Sequence, residues 1–190
     1  MLIAITGLNG SGKDTVADYI KEKYGYKHIS LSSLVNKLTI EQGKDIRKRD
    51  DLNFVADSQR KKDGSAFLAK QALKDYKKND HLVLSSFRHP SEIELVREKE
   101  GIIIRIDSPL KTRFERNVLR KKKNPGTDHG SVNLDDFIKK QNRELSNPDK
   151  DKMQISEVLK HTDFIIKNDS TLISLHKKID ILIDIISVGD

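Results

Sequence analysis

The first thirteen residues constrain this chain more than any others. An apolar run, Met1-Leu2-Ile3-Ala4-Ile5, passes through Thr6 into Gly7-Leu8-Asn9-Gly10-Ser11-Gly12-Lys13. The spacing is G-x-x-x-x-G-K, and it carries chemistry only when a strand precedes it and a helix follows. Both conditions are met, because Val16, Ala17 and Ile20 recur at helical spacing after Lys13. In such a loop successive backbone N–H groups turn inward around a phosphate, a conformation that side chains would obstruct. Gly7, Asn9, Gly10, Ser11 and Gly12 are therefore expected to cradle a polyphosphate, with Lys13 bridging its terminal groups. The helix beginning near Lys13 adds its N-terminal partial positive charge.

The residue after the lysine is unusual. Asp14 stands where Ser or Thr more often supplies a Mg²⁺ ligand, and the hydroxyl is displaced to Thr15. The expected arrangement has Asp14 holding the metal through water, while Thr15 caps the helix or touches the α-phosphate.

Beyond the loop, short apolar runs alternate with amphipathic stretches. The runs are residues 2–6, 27–31, 81–84, 102–106 and 163–166, and the helical segments fall at 13–24, 66–76, 91–98, 110–119 and 170–187. The runs are nearly continuous in apolar residues, as in a parallel sheet covered by helices on both faces. The fold class is α/β, one three-layer domain spanning residues 1–190. Residues 32–80 and 120–134 escape the alternation and read as insertions at the sheet edge. The chain has no cysteine, which excludes disulfide frameworks and thiolate chemistry. No basic leader precedes the first strand, and the run at 179–188 is broken by Asp180 and Asp184, so a soluble cytoplasmic protein is expected. The net charge of +7 suits an anionic ligand without choosing one.

Arginines follow the third and fourth strands. Arg88 leaves the carboxyl edge of the sheet, where α/β proteins bind ligands, and can hold a phosphate with two parallel hydrogen bonds. A salt bridge to Glu92 is the plainer alternative. Arg113, Arg116 and Arg120 stand at helical spacing ahead of Lys121-Lys122-Lys123-Asn124-Pro125-Gly126, a basic loop with suitable hinge residues. With Lys13 and Arg88, Arg116 and Arg120 are the expected catalytic residues, the last two closing over the phosphates and excluding water. In the first insertion Ser32 and Arg60 are candidate acceptor ligands, with Arg60 ranked above Arg47 and Arg49.

Taken together, Gly7 to Thr15, Ser86-Phe87-Arg88-His89-Pro90, Asp107-Ser108-Pro109 with Arg113-Phe114-Glu115-Arg116, and Asn168-Asp169-Ser170 resemble the adenylate-kinase-like P-loop kinases. Within that group the chain resembles nucleotide-kinase-related proteins of archaea and the kinase-like domains joined to deoxycytidylate deaminases. Dephospho-coenzyme A kinase is a more distant likeness. The resemblance implies a five-stranded parallel sheet of order 2-3-1-4-5, an acceptor-binding insertion after the second strand and a lid after the fourth. It further implies that Arg143 follows the lid as an acceptor ligand and that Asn168 and Asp169 flank the adenine. The pattern departs at Ser85, where relatives often carry an aspartate near Mg²⁺; Asp14 or Asp107 would have to compensate, although Asp107 reads equally as a helix cap.

The function these features imply is ATP- and Mg²⁺-dependent phosphotransfer to a small phosphate-bearing acceptor, a nucleoside or deoxynucleoside monophosphate first. The alternatives are a dephospho-coenzyme A kinase, or a slow ATPase acting as a switch or scaffold with RNA or protein. RNA binding through Lys61-Lys62 and 120–123 is not favoured, because it leaves the phosphate loop unexplained.

Overall fold

A computed structural model describes residues 1–127, 130–150 and 152–187. Five strands, β1 (Leu2–Thr6), β2 (Lys27–Ser30), β3 (Leu82–Ser85), β4 (Ile102–Asp107) and β5 (Phe164–Lys167), form one sheet in the order β2-β3-β1-β4-β5. All four pairings are parallel. The expected sheet is the one observed.

Alternation along β1 explains the two cores. Ile3 and Ile5 face α1 (Lys13–Tyr24) and the closing helix, numbered α9 (Leu172–Ser187), packing with Val16, Ile20, Leu175, Ile179 and Ile183. Leu2 and Ala4 face the other way. They meet α2 (Leu31–Glu41), α4 (Phe67–Leu73), α5 (Pro90–Glu98) and α8 (Ile155–Lys160) through Leu31, Leu68, Ile93 and Val158. Each fully buried Leu or Ile contributes about 1.5–3 kcal/mol, so a strand buried on both faces has few residues to spare for polarity.

The remaining helices are α3 (Arg49–Asp63), α6 (Leu110–Lys123) and α7 (Leu134–Leu145). Two sequence boundaries shift. The 32–80 insertion is not wholly peripheral, because α4 supplies part of the core against β1 and β3. Arg120 to Lys123, expected in a loop, form the last turn of α6, and only Asn124 onward leaves the helix. Positions 128 and 129 of the expected lid lie outside the described residues.

Register fixes the site. Ile5 pairs with Ser85, Ser30 with Ser85, Thr6 with Arg105 and Asp107 with Lys167. Every loop leaving a strand therefore emerges on one edge of the sheet, on both sides of the point where chain order reverses about β1.

Candidate functional site

The glycine loop is pressed against its neighbours. Gly10 and Gly12 have φ of 81° and 93°, in the left-handed region that glycine tolerates. A Cβ on Gly10 would lie 2.6 Å from the Arg113 carbonyl, and one on Gly12 would lie 2.4 Å from Asn168 Nδ2. The loop carbonyls point outward into donors. Arg116 Nη1 donates to Gly10 O at 3.2 Å and to Ser11 O at 3.3 Å, and Asn168 Nδ2 donates to Ser11 O at 2.8 Å. Among the described residues the N–H groups of Gly10, Gly12, Lys13 and Asp14 have no backbone partner. The hydroxyls of Thr6 and Ser11 are buried without partners. Lys13 is buried too, and burial pushes its ammonium down to about 8, with Arg88 and Arg120 adding to the depression against Asp14 and Glu144. A cradle of unpaired donors around an ammonium destabilised by burial fits a polyphosphate, whose negative charge would offset that burial.

The α6 arginines do not form one face aimed at the cleft mouth. Arg113 is buried beneath the loop, where it donates from Nε to Ser108 O at 3.0 Å and from Nη1 to Gln141 Oε1 at 2.5 Å. Arg116 braces the loop, reaching Ser108 Oγ at 3.0 Å and Asn168 Oδ1 at 3.2 Å besides the two carbonyls. Arg120 alone of the three is exposed, with a single 3.3 Å hydrogen bond to Asn9 Oδ1. Gly12, Thr15, Arg116, Arg120, Asn168 and Leu172 line a cleft of about 290 Å³ beside the loop. Asn168 belongs to it, but Asp169 turns to Lys178 at 3.3 Å, a pairing that lowers its carboxyl pKa.

A second cleft lies between the loop after β3 and helices α2, α3 and α4. Ser32, Arg49, Arg60, Ser86, Arg88 and Met153 line it, enclosing about 60 Å³. Three sequence candidates, Ser32, Arg60 and Arg88, thus converge. The loop that presents Arg88 is held rigidly: Ser86 has φ of 72°, a conformation costing roughly 1–3 kcal/mol for a residue with a side chain. Glu92, fully buried, accepts from the N–H groups of Arg88 at 2.8 Å and His89 at 3.1 Å. Burial raises the Glu92 pKa, opposed by Arg60 and these hydrogen bonds. Glu92 therefore grips the Arg88 backbone and not its guanidinium, contrary to the plainer alternative. The guanidinium pairs with Glu144 at 2.7 Å, and Arg49 pairs with the other oxygen of the same carboxylate. Arg60 is buried, bonded to Asp57 at 3.1 Å, and its Nε has no partner.

Glu144 is the residue that sequence reasoning missed. Phe137, Gln141 and Glu144 recur at helical spacing on α7, and each turns inward, to the core, to Arg113 and to the arginine pair. That spacing is a weak signal, because Phe137 alone of the three is apolar. Arg143, the residue named instead, is exposed, and the structure does not bring it to either cleft.

Of the two acids that could compensate for Ser85, Asp107 is engaged and Asp14 is open to solvent. Asp107 is held by Arg105 at 3.1 Å, and the cap of α6 is Pro109. Ser85 shares a 3.0 Å hydrogen bond with His28 Nε2, whose Nδ1 meets Asp18 at 3.2 Å. Asp14 and Thr15 stand exposed in the first turn of α1, open to a hydrated cation. No group of three metal-ligating side chains occurs among the described residues.

With this geometry, comparison with known proteins is informative. Residues 3–146 match the family described as AAA domain (AAA_18), a stretch holding the loop, Arg88, the α6 arginines and Glu144. A UPF0200 protein of Methanococcus vannielii is 30% identical over 96% of this chain and 98% of its own. The chain belongs to the UPF0200 family of AAA-domain proteins. A second UPF0200 protein, from Sulfurisphaera tokodaii, is 28% identical over 96% of this chain and 95% of its own length. Among solved structures, shikimate kinase from Bacteroides thetaiotaomicron superposes with a TM-score of 0.65 at 13% identity, covering 98% of both chains. Shikimate kinase from Acinetobacter baumannii, solved with shikimate, gives 0.60 at 16% identity over 100% of this chain and 94% of that one. At these identities the likeness is one of fold, so this UPF0200 protein has a P-loop kinase-like fold. Among its described residues no helix is long and apolar enough to cross a membrane.

Proposed function

We propose that this UPF0200 protein is an ATP-dependent phosphotransferase of the adenylate-kinase-like group, acting on a small phosphate-bearing acceptor, a nucleoside or deoxynucleoside monophosphate before others. One observation carries the reading. The unpaired donors around Lys13 and the arginine-lined cleft of Arg49, Arg60 and Arg88 adjoin, and Lys13 lies within the fields of Arg88, Arg120 and Glu144. Two anion sites side by side suit a donor and an acceptor brought in line.

Asp14, with Thr15 beside it, would hold Mg²⁺ through water, and the ion would supply neutralising charge to the polyphosphate. Lys13 and the loop N–H groups hold the same phosphates. Arg120, free to move from Asn9, meets the charge that develops as the acceptor oxygen attacks the γ-phosphorus and ADP leaves. Arg88 and Arg60 fix the acceptor, and Ser32 lies beside them. No protein nucleophile is required, because the acceptor supplies the attacking oxygen.

A slow ATPase with a switch or scaffold role is the second reading. Ser85 favours it, since its hydroxyl is buried against His28 and supplies no carboxylate. The deciding experiment is ADP release from ATP and Mg²⁺ with nucleoside monophosphates, deoxynucleoside monophosphates and dephospho-coenzyme A, each against a control without acceptor. Stimulation by one acceptor establishes the kinase and names its substrate. Slow hydrolysis that no acceptor alters establishes the second reading.

A further inference from the structure

Glu144 bridges two cationic groups brought from different elements. Arg49 begins α3, Arg88 lies in the loop between β3 and α5, and Glu144 belongs to α7. Each guanidinium takes a different oxygen of the one carboxylate. The group is largely withdrawn from water, with side-chain exposures of 29%, 16% and 12% for Arg49, Arg88 and Glu144. The two arginines lower the Glu144 pKa although burial opposes them, so the carboxylate stays charged.

We propose that Glu144 sets the specificity of the acceptor cleft: its carboxylate occupies the place of the acceptor's anionic group on Arg49 and Arg88, and a phosphomonoester dianion, but not a monoanion, displaces it. The inference rests on the phosphotransferase reading for its meaning, and on the ion-pair geometry for its evidence.

Charge decides between ligands. A monoanion offers the two guanidiniums no more charge than Glu144 already does. A carboxylate ligand would replace Glu144 like for like and strand a buried carboxylate without its partners, which is unfavourable. A phosphate dianion neutralises both arginines and presents three terminal oxygens, enough to bridge Arg49 and Arg88 as Glu144 does and to reach further. The further donor is present. Arg60 lines the same cleft, and its Nε is buried without a partner. Asp57, paired with Arg60, and the buried Glu92 are the acids facing that arginine. Glu144 also contributes to the electrostatic field at Lys13, so its displacement would be felt at the donor site.

The test measures binding and needs no turnover. With the glycine loop filled by a non-hydrolysable ATP analogue, inorganic phosphate and acetate are titrated separately by calorimetry into the wild-type protein, Glu144→Gln, Glu144→Asp and Arg49→Ala. Wild type should bind phosphate and not acetate. Glu144→Gln should bind phosphate about tenfold more tightly or better, since a competing charge is gone, and acetate should become measurable. Glu144→Asp, too short to bridge both arginines, should fall between, and it serves if the glutamine variant does not fold. Arg49→Ala should lose phosphate. Phosphate affinity that is unchanged or weaker in Glu144→Gln and Glu144→Asp, or absent throughout, overturns the proposal. If no acceptor stimulates ADP release yet Glu144→Gln still tightens phosphate, the phosphotransferase reading has failed and this one has not.

Discussion

Replacing Arg116 by alanine separates two roles that arginines play at a phosphate site. The guanidinium donates to Gly10 O, Ser11 O, Ser108 Oγ and Asn168 Oδ1. Ser11 O keeps its 2.8 Å bond from Asn168, but Gly10 O loses its side-chain donor, and Asn168 loses the donor that orients its amide. Each buried polar group left unsatisfied costs about 1–3 kcal/mol, and water entering the opened space recovers part of that. The loop must also be ordered again at each binding event. A loss of about 2–3 kcal/mol in ATP binding follows, a weakening of roughly 30- to 150-fold. Calorimetric titration of ATP into wild type, Arg116→Ala and Arg116→Lys measures it, and steady-state kinetics measure the acceptor in parallel. ATP affinity should fall in both variants, less in the lysine one, while the acceptor KM moves little. If ATP affinity holds and kcat alone collapses, Arg116 contacts the transferring group and the bracing argument is refuted.

Lys13→Ala should abolish nucleotide binding, and the titration of Lys13 supplies a subtler check. Its pKa is depressed in the folded protein, from the usual 10.5 to about 8, so the unfolded chain binds more protons between those values and this group's contribution to stability rises with pH across that window. ATP favours the charged amine, so binding at pH 8–9 should take up a proton, seen as a dependence of binding heat on buffer ionisation enthalpy that disappears at pH 6, where the amine is already charged. Arg88→Ala should raise the acceptor KM by an order of magnitude or more, about the loss of a charge-assisted pair, with ATP affinity nearly unchanged. Equal losses for both ligands would contradict the acceptor assignment. Ile183→Ala, in the core between α9 and the sheet, should lower unfolding free energy by about 2–4 kcal/mol in urea, with the denaturant slope unchanged.

The scaffold was legible because its signals are local. A strand, a glycine loop and a helix with apolar residues at 16, 17 and 20 fix β1 and α1, and continuous apolar runs announced a sheet covered on both faces. The convergence of Ser32, Arg60 and Arg88 was also readable, since each follows from its place near a strand end or in the insertion. The direction of a guanidinium was not. Spacing puts Arg113, Arg116 and Arg120 on neighbouring turns, but whether a side chain meets a ligand or a backbone carbonyl depends on the loop packed against it, which periodicity does not encode. At α7 the residue named and the residue found on the arginines are neighbours. One step along a helix turns the side chain by about 100°, so Arg143 faces solvent while Glu144 reaches the arginines. Phe137 is the only buried residue on that helix, leaving too faint a stripe to set its phase.

Asn168 links what would otherwise be two separate recognition events. Its amide donates to a carbonyl of the glycine loop, accepts from the arginine that braces that loop, and sits where any side chain on Gly12 would have to be. In the proposed complex the same residue borders the nucleobase. Contacts to the base and contacts to the phosphates then cease to be additive, because ordering one end of the ligand site prepays the entropy of ordering the other. Fragments of the nucleotide, such as the free base or triphosphate alone, would each bind worse than their share of the whole, and selectivity for the base would register as a tighter hold on phosphates several bonds away.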